Sequence, residues 1–279
     1  MSPQVRGNFD ERPHWNPWVE LRCRNFKAIR WKFRRHLRSL GDTKALRAAL
    51  PSGIHVDDDL VRRLVAEFSE SPDLLDALGS PSARAWAESR LTDPLALRTH
   101  FLNERTRARA LFAYAWTRLA KPTIVVETGC FTGWDSATIL SALGRNDRGH
   151  LYTIDLPARE GSFSQVGSDS GLPEGLSPGF LVPDVLRERW SLIIDDSRKA
   201  LPALLQKVSH VDLFFHDSHH SYTHMMWEYT TAWPFLKDSG LLFSDDISWN
   251  TAFWDFAEGV GTQPIIPRHN CNVGALRRP

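Results

Sequence analysis

Beyond Pro122 the sequence alternates short apolar runs with helical stretches, and this rhythm narrows the possible folds more than any other feature. The runs are TIVVET (123–128), HLYTIDL (150–156), WSLIIDD (190–196), VDLFFHD (211–217) and GLLFSDD (240–246), with helical patterns near 134–144, 184–189, 197–207 and 221–237 between them. Strands that alternate with helices predict a parallel sheet, right-handed crossovers and helices on both faces. The tail TQPIIPRHNCNVGALRR holds two strand-like pieces with no helix between them, which predicts a closing hairpin. Residues 158–183 break the rhythm: they are rich in Gly, Ser and Pro, and a connection of that length reads as a lid.

The first 120 residues follow a helical pattern instead. Leu60, Val61, Leu64, Val65 and Phe68 form one apolar stripe, Ser71-Pro72 reads as an N-cap followed by a first-turn proline, and a long helix is expected over 95–119, ending before Lys121-Pro122. No chemistry-bearing motif stands out in residues 56–120. Charge is uneven along the chain. Residues 1–50 hold 12 Lys/Arg against 4 Asp/Glu, a balance of +8, which the remaining residues cancel to a net +1. Phe26, Ile29, Phe33, Leu37 and Leu40 recur at helical spacing within that basic stretch, so a basic amphipathic helix over 22–38 is expected to pack on the main domain or a partner subunit. Contact with an anionic membrane is the less favoured reading, and nucleic acid is not expected. Three cysteines make no disulfide framework, and no stretch reaches the roughly 18 uncharged apolar residues of a membrane span, so a cytoplasmic setting is expected. The chain thus divides into a helical region, 1–120, for capping or oligomerisation, and an α/β domain, 121–279.

Open α/β sheets bind ligands beyond the carboxyl ends of their strands. The first strand delivers Glu127-Thr-Gly129-Cys-Phe-Thr-Gly133 and then a helix. Such a turn suits a nucleotide-like ligand but lacks the middle glycine of a dinucleotide fingerprint. Asp155 ends the second strand, where a carboxylate can accept the hydroxyls of a ribose or cap a helix. Asp196 and Ser197 follow the third, and suit an adenine edge and a helix cap equally. Asp217 ends the fourth strand, and Asp245-Asp246 end the fifth, 28 and 29 residues later. Carboxylates on adjacent strand ends repel unless something positive joins them, and an all-oxygen set suits Mg²⁺, Mn²⁺ or Ca²⁺. His210, His216, His219, His220 and His224 crowd the same stretch. A neutral histidine there can take a proton from a bound hydroxyl. A zinc site built from His216, His219, His220 and His224 is the competing arrangement.

VVETGCFTGWDSATIL, TIDLP, IIDDSRKALPALL, VDLFFHDSHHSY and GLLFSDDISWN together resemble class I S-adenosylmethionine-dependent methyltransferases. The likeness is closest to the bacterial metal-dependent "methyltransferase domain 24" type, many of whose members act in natural-product pathways, and it covers about 121–279. The resemblance implies a Rossmann-like, doubly wound, seven-stranded sheet with an antiparallel last strand. It implies that Glu127, Gly129 and Gly133 surround the amino-acid end of S-adenosylmethionine, that Asp155 takes the ribose, and that Asp196 and Ser197 take the adenine. It also implies Mg²⁺ (or Mn²⁺ or Ca²⁺) on Asp217, Asp245 and Asp246. The general base is His220, three residues after the first ligand, or His219, two residues after it. The expected activity is metal-assisted O-methylation of a small-molecule acceptor (a natural product, phenol or sugar hydroxyl) by a homo-oligomer. Metal-independent N-methylation and a non-catalytic cofactor-binding scaffold recruited through the basic helix are the alternatives.

Overall fold

A computed structural model describes residues 38–91, 101, 104–157, 172, 175–267 and 272–279. The basic 22–38 helix lies outside these residues but for its last position, as does most of the 158–183 lid. Among the described residues five helices precede the sheet: α1 (Arg38–Ala49), α2 (Asp58–Ser69), α3 (Pro72–Gly79), α4 (Pro81–Arg90) and α5 (Glu104–Ala120). Helix α2 starts where the Asp57 carboxylate accepts from Leu60 N, and its stripe buries Val61, Leu64 and Phe68. Ser71-Pro72 opens α3 as expected, though the Ser71 hydroxyl makes no capping bond and instead meets Ser141 Oγ at 2.9 Å.

The sheet contains β1 (Ile124–Thr128), β2 (His150–Asp155), β3 (Trp190–Ile194), β4 (Val211–His216), β5 (Leu236–Ser244) and β6 (Gly274–Arg277), in the order β3-β2-β1-β4-β5-β6. The first five pair in parallel, and β6 runs antiparallel to β5. Crossovers are made by α6 (Trp134–Asn146), α7 (Ser197–Val208) and α8 (Tyr222–Ala232), while α9 (Ala252–Gly259) follows β5. The stretch 184–189, expected to be helical, is a 3₁₀ turn. Of the seven strands expected, six form among the described residues. The first arm of the closing hairpin is reduced to a single bridge, Ile265 to Ala275, because Pro264 and Pro267 flank it and proline cannot donate to a ladder. Among the described residues no helix is long and apolar enough to cross a membrane.

Alternating strand side chains feed two cores. Val125, Leu151, Leu213, Phe215, Leu241, Phe243 and Ala275 face the first with α6 and the N-terminal helices. Val126, Ile154, Phe214, Leu242 and Leu276 face the second with α7, α8 and α9. Strand order reverses between β1 and β4, so a crevice opens at their carboxyl ends.

Candidate active site at the carboxyl edge of the sheet

The hydrogen-bond ladder runs past the strands into the residues that matter. Asp217 N donates to Thr128 O (2.8 Å), Asp245 N to His216 O (3.0 Å), Gly129 N to Ile154 O (2.8 Å) and Asp195 N to Asp155 O (3.0 Å). The turn after β1 is thereby fixed against β2 and β4. Gly129 has φ +78°, and a Cβ there would lie 2.2 Å from the Asp217 carbonyl oxygen. Its glycine is required by a close approach of the β4 backbone. Gly133, at φ +83°, abuts Gly179 in the same way. The described root of the expected lid is therefore pinned to the turn, with Gly179 N donating to Phe131 O (2.9 Å) and Leu181 N to Thr132 O (2.9 Å).

Asp155 sits beside this turn. Its Oδ2 accepts from Cys130 N (2.9 Å) and Phe131 N (2.8 Å), and its Oδ1 accepts from Leu156 N. Leu156 and Ile194, at the ends of β2 and β3, expose apolar side chains at the same edge. Glu127 is fully buried beneath the turn, where its Oε2 accepts from Ser136 Oγ (2.5 Å) and Thr153 Oγ1 (2.8 Å). Burial pushes its carboxyl up to about 8, against the two hydroxyls that hold it down. Asp196 acts as the N-cap of α7, its Oδ1 accepting from Arg198 N (2.8 Å), and Ser197 Oγ lies 3.4 Å from His224 Nε2. Cys130 is buried, and burial first, then Asp155, pushes its thiol far up, so it is no thiolate nucleophile.

The histidines separate into different settings. His216 and His224 both turn toward the buried Glu228: His216 Nδ1 lies 2.6 Å from Oε2 and His224 Nε2 2.9 Å from Oε1. Thr128 and Ser218 hydroxyls also donate to this carboxylate. Burial alone would raise the Glu228 carboxyl, yet the bonds from His216 and His224 hold it far below the usual range. His219 is exposed. His220 lies against the acidic strand ends, with Nε2 3.7 Å from Asp217 Oδ1 and Nδ1 3.9 Å from Asp246 Oδ2. Burial first, then His216, pushes its imidazole down to about 3, so the ring is neutral. The four histidines of the competing zinc arrangement therefore do not converge. Nor do Ser218, His224 and Glu228 form a nucleophilic relay, since Ser218 Oγ (3.2 Å) and Glu228 both meet the same nitrogen, Nε2.

The acidic cluster also holds a cation. Arg109, from α5, reaches in between the strand ends. Its Nη1 donates to Asp245 Oδ2 and lies 3.6 Å from Asp217 Oδ2, while Nη2 donates to Asp135 Oδ2 at 2.5 Å. Burial works against the Arg109 charge, but Asp135, Asp245 and Asp217 outweigh it and raise its pKa. Asp217 is pushed well up by burial, against Arg109 and with Asp245 and Asp135 adding to the rise. Asp246 lies in the left-handed region at φ 50°, with its Oδ1 accepting from Asn272 Nδ2. A divalent ion needs carboxylate oxygens converging at roughly 2.0–2.6 Å around open ground. Between Asp217 and Asp245 that ground holds a guanidinium, so the arrangement does not fit the expected metal. Among the described residues, no group of three or more His, Cys, Asp or Glu side chains is disposed to hold a metal ion.

Residues 126–247 match a family described as methyltransferase domain. No curated protein matches the chain. Among solved structures the chain is similar to CalS11, a calicheamicin methyltransferase, with 15% identity over 80% of this chain and 94% of that one and a TM-score of 0.48. It is similar to the methyltransferase PaMTH1 of Podospora anserina, bound to SAH, with 15% identity over 82% and 100% and a TM-score of 0.48. It is also similar to the O-methyltransferase TomG of Streptomyces achromogenes, involved in tomaymycin synthesis and solved with SAM, with 17% identity over 75% and 91% and a TM-score of 0.49.

Proposed function

We propose, from the geometry of the strand ends and the match of residues 126–247 to a methyltransferase domain family, that the protein transfers a methyl group from S-adenosylmethionine to a hydroxyl of a small molecule, with His220 as the base. The observation that carries this reading is the juxtaposition at the β1/β4 reversal. Asp155 sits at the glycine turn on one side, and a neutral, mostly covered His220 sits beside Asp217 and Asp246 on the other.

The residues fit the cofactor's chemistry. Asp155 retains lone pairs for ribose hydroxyls, and Leu156 and Ile194 offer exposed apolar ground for a purine. When bound, S-adenosylmethionine supplies an electrophilic methyl group on a sulfonium. The protein's task is then to orient the acceptor and remove its proton. His220 is held for this by burial and by the ring of Trp249 at 5.4 Å. Asp217 and Asp246, both within 4 Å, stabilise the imidazolium once the proton has moved.

Calorimetric titration with S-adenosylmethionine tests the first half of the reading. Asp155→Asn keeps an oxygen for the turn and removes the charge, and should weaken binding by roughly ten- to a hundredfold. Unchanged affinity would remove Asp155 from the cofactor site. His220→Gln should bind the cofactor normally and lose turnover by about a hundredfold or more. Turnover at the wild-type rate would exclude His220 as the base. Metal-independent N-methyl transfer is the second reading, favoured by Arg109 standing between Asp217 and Asp245. Amines and hydroxyl acceptors offered side by side distinguish the two.

A further inference from the structure

Carboxylates from three elements meet at Arg109: Asp135 in the first turn of α6, Asp217 after β4 and Asp245 after β5. Left alone, these side chains would repel one another in a site screened from water. A flat, forked guanidinium satisfies such a set better than a point charge, because its nitrogens address different carboxylates at once. Here Nη1 serves the two strand ends and Nη2 serves Asp135.

The helix that delivers this side chain is itself fixed. Ala110, Phe112, Ala113, Tyr114 and Trp116 of α5 are buried, and the Phe112 ring stacks 5.3 Å from Phe243 of β5, two residues before Asp245. Withdrawing the guanidinium would leave two buried carboxylates and the half-buried Asp217 without compensation or shift a helix embedded in the core. Either course is costly.

We propose that Arg109 is the resident cation of this centre, supplied in cis by the helical N-terminal region, and that it holds the ground a divalent ion would need between Asp217 and Asp245. Two consequences follow. Wild-type protein takes up no divalent ion at these carboxylates. Removing the guanidinium while keeping the carboxylates opens a site for one. The first consequence is independent of the methyl-transfer reading. A third, that turnover is insensitive to chelators, rests on that reading.

The test is a titration of the full chain with Mn²⁺, followed by the loss of the free-ion electron paramagnetic resonance signal. Wild-type protein should leave the free Mn²⁺ signal intact. Arg109→Gln should abolish it up to one equivalent, and Arg109→Gln combined with Asp217→Asn should restore it. Arg109→Lys, which keeps a cation, should behave as wild type. Stoichiometric Mn²⁺ uptake by wild-type protein that Asp217→Asn removes would overturn the proposal, since Arg109 then yields to a metal. A folded Arg109→Gln protein that binds no Mn²⁺ would overturn it from the other side. If Arg109→Gln fails to fold, the wild-type and Asp217→Asn titrations still decide. Failure of S-adenosylmethionine to bind would sink the methyl-transfer reading while leaving this result untouched.

Discussion

Glu127 illustrates how a residue's place in a motif differs from its work in the fold. Its place in the motif leads one to expect it at the amino-acid end of the cofactor, yet the chain closes over it, and it joins Ser136 of α6 to Thr153 of β2 from below the turn. Its carboxyl, ordinarily near 4.5, is pushed up to about 8 by burial. The folded state therefore holds a proton that the unfolded chain has released. Below about pH 4.5 both states carry it and pH has no effect through this group. Between about 4.5 and 8 the unfolded state binds fewer protons, so stability falls as pH rises, and above about 8 the loss is complete. Glu127→Gln should remove this slope and stabilise the protein at about pH 9 by an amount on the order of a few kcal/mol relative to its effect at about pH 5. Urea midpoints at the two pH values measure it, and parallel pH dependences in both proteins would exclude the assignment. At this scale the sequence indicates which candidate residues share one edge of the sheet, but not their contacts. Asp155, Asp217, Asp245 and His220 arrive at one edge because strand periodicity places them there. Arg109 was not legible, because it meets its partners across the fold, 136 positions from Asp245; Glu228 was more legible, since His224 lies four positions before it on the same helix, although its bond to Thr128 spans 100 positions. The one available signal was electrostatic. Clustered carboxylates require a cation, and an arginine on a packed helix meets that need as well as a metal does.

Among the elements, the junction of β1 with β4 fixes the site. The glycine turn at 129–133 looks from sequence like a cradle shaped for a ligand. In the fold its first glycine is required by the Asp217 backbone, and its last by Gly179. Gly129→Ala would combine a left-handed backbone, costing roughly 1–2 kcal/mol, with a backbone clash that only displacement of the β4 end relieves. We expect a total loss of about 3 kcal/mol or more. Cofactor affinity should fall with it, because moving Asp217 also moves the turn that Asp155 holds. A denaturant midpoint and a binding titration on the same sample measure both effects, and an alanine variant of wild-type stability would show that the turn has room to relax. The strands were legible because each has a short apolar run, and β1, β3, β4 and β5 are each followed by a helix. Two details were not. Whether 184–189 forms a 3₁₀ turn or an α-helix depends on six residues, too few for periodicity to decide. The seventh strand fails for a local reason, the prolines on either side of Ile265.

At the scale of the whole molecule, sequence grammar divides the chain near Pro122, while packing crosses that line. One core holds Leu46, Leu50, Phe68 and Trp116 from the helices together with Val125, Leu151, Phe215 and Phe243 from the sheet. Polar bonds cross the line as well. Arg277 Nη1 of β6 donates to Leu50 O at 3.1 Å, Ser71 meets Ser141, and Arg109 joins α5 to the acidic strand ends. A shared core of this kind couples the two regions energetically, since neither can unfold without exposing the apolar surface of the other. The full chain should therefore melt in one transition. Far-ultraviolet circular dichroism reports α1–α5 along with the remaining helices. Tryptophan fluorescence reports Trp86 and Trp116 on one side of the line and Trp190, Trp227, Trp249 and Trp254 on the other. The two signals should superimpose across the whole denaturation curve. A separate early transition that leaves the sheet folded would mean that the helices are an appendage. It would also mean that Arg109 can leave the strand ends without unfolding them, so this curve and the Mn²⁺ titration test the same attachment from opposite ends.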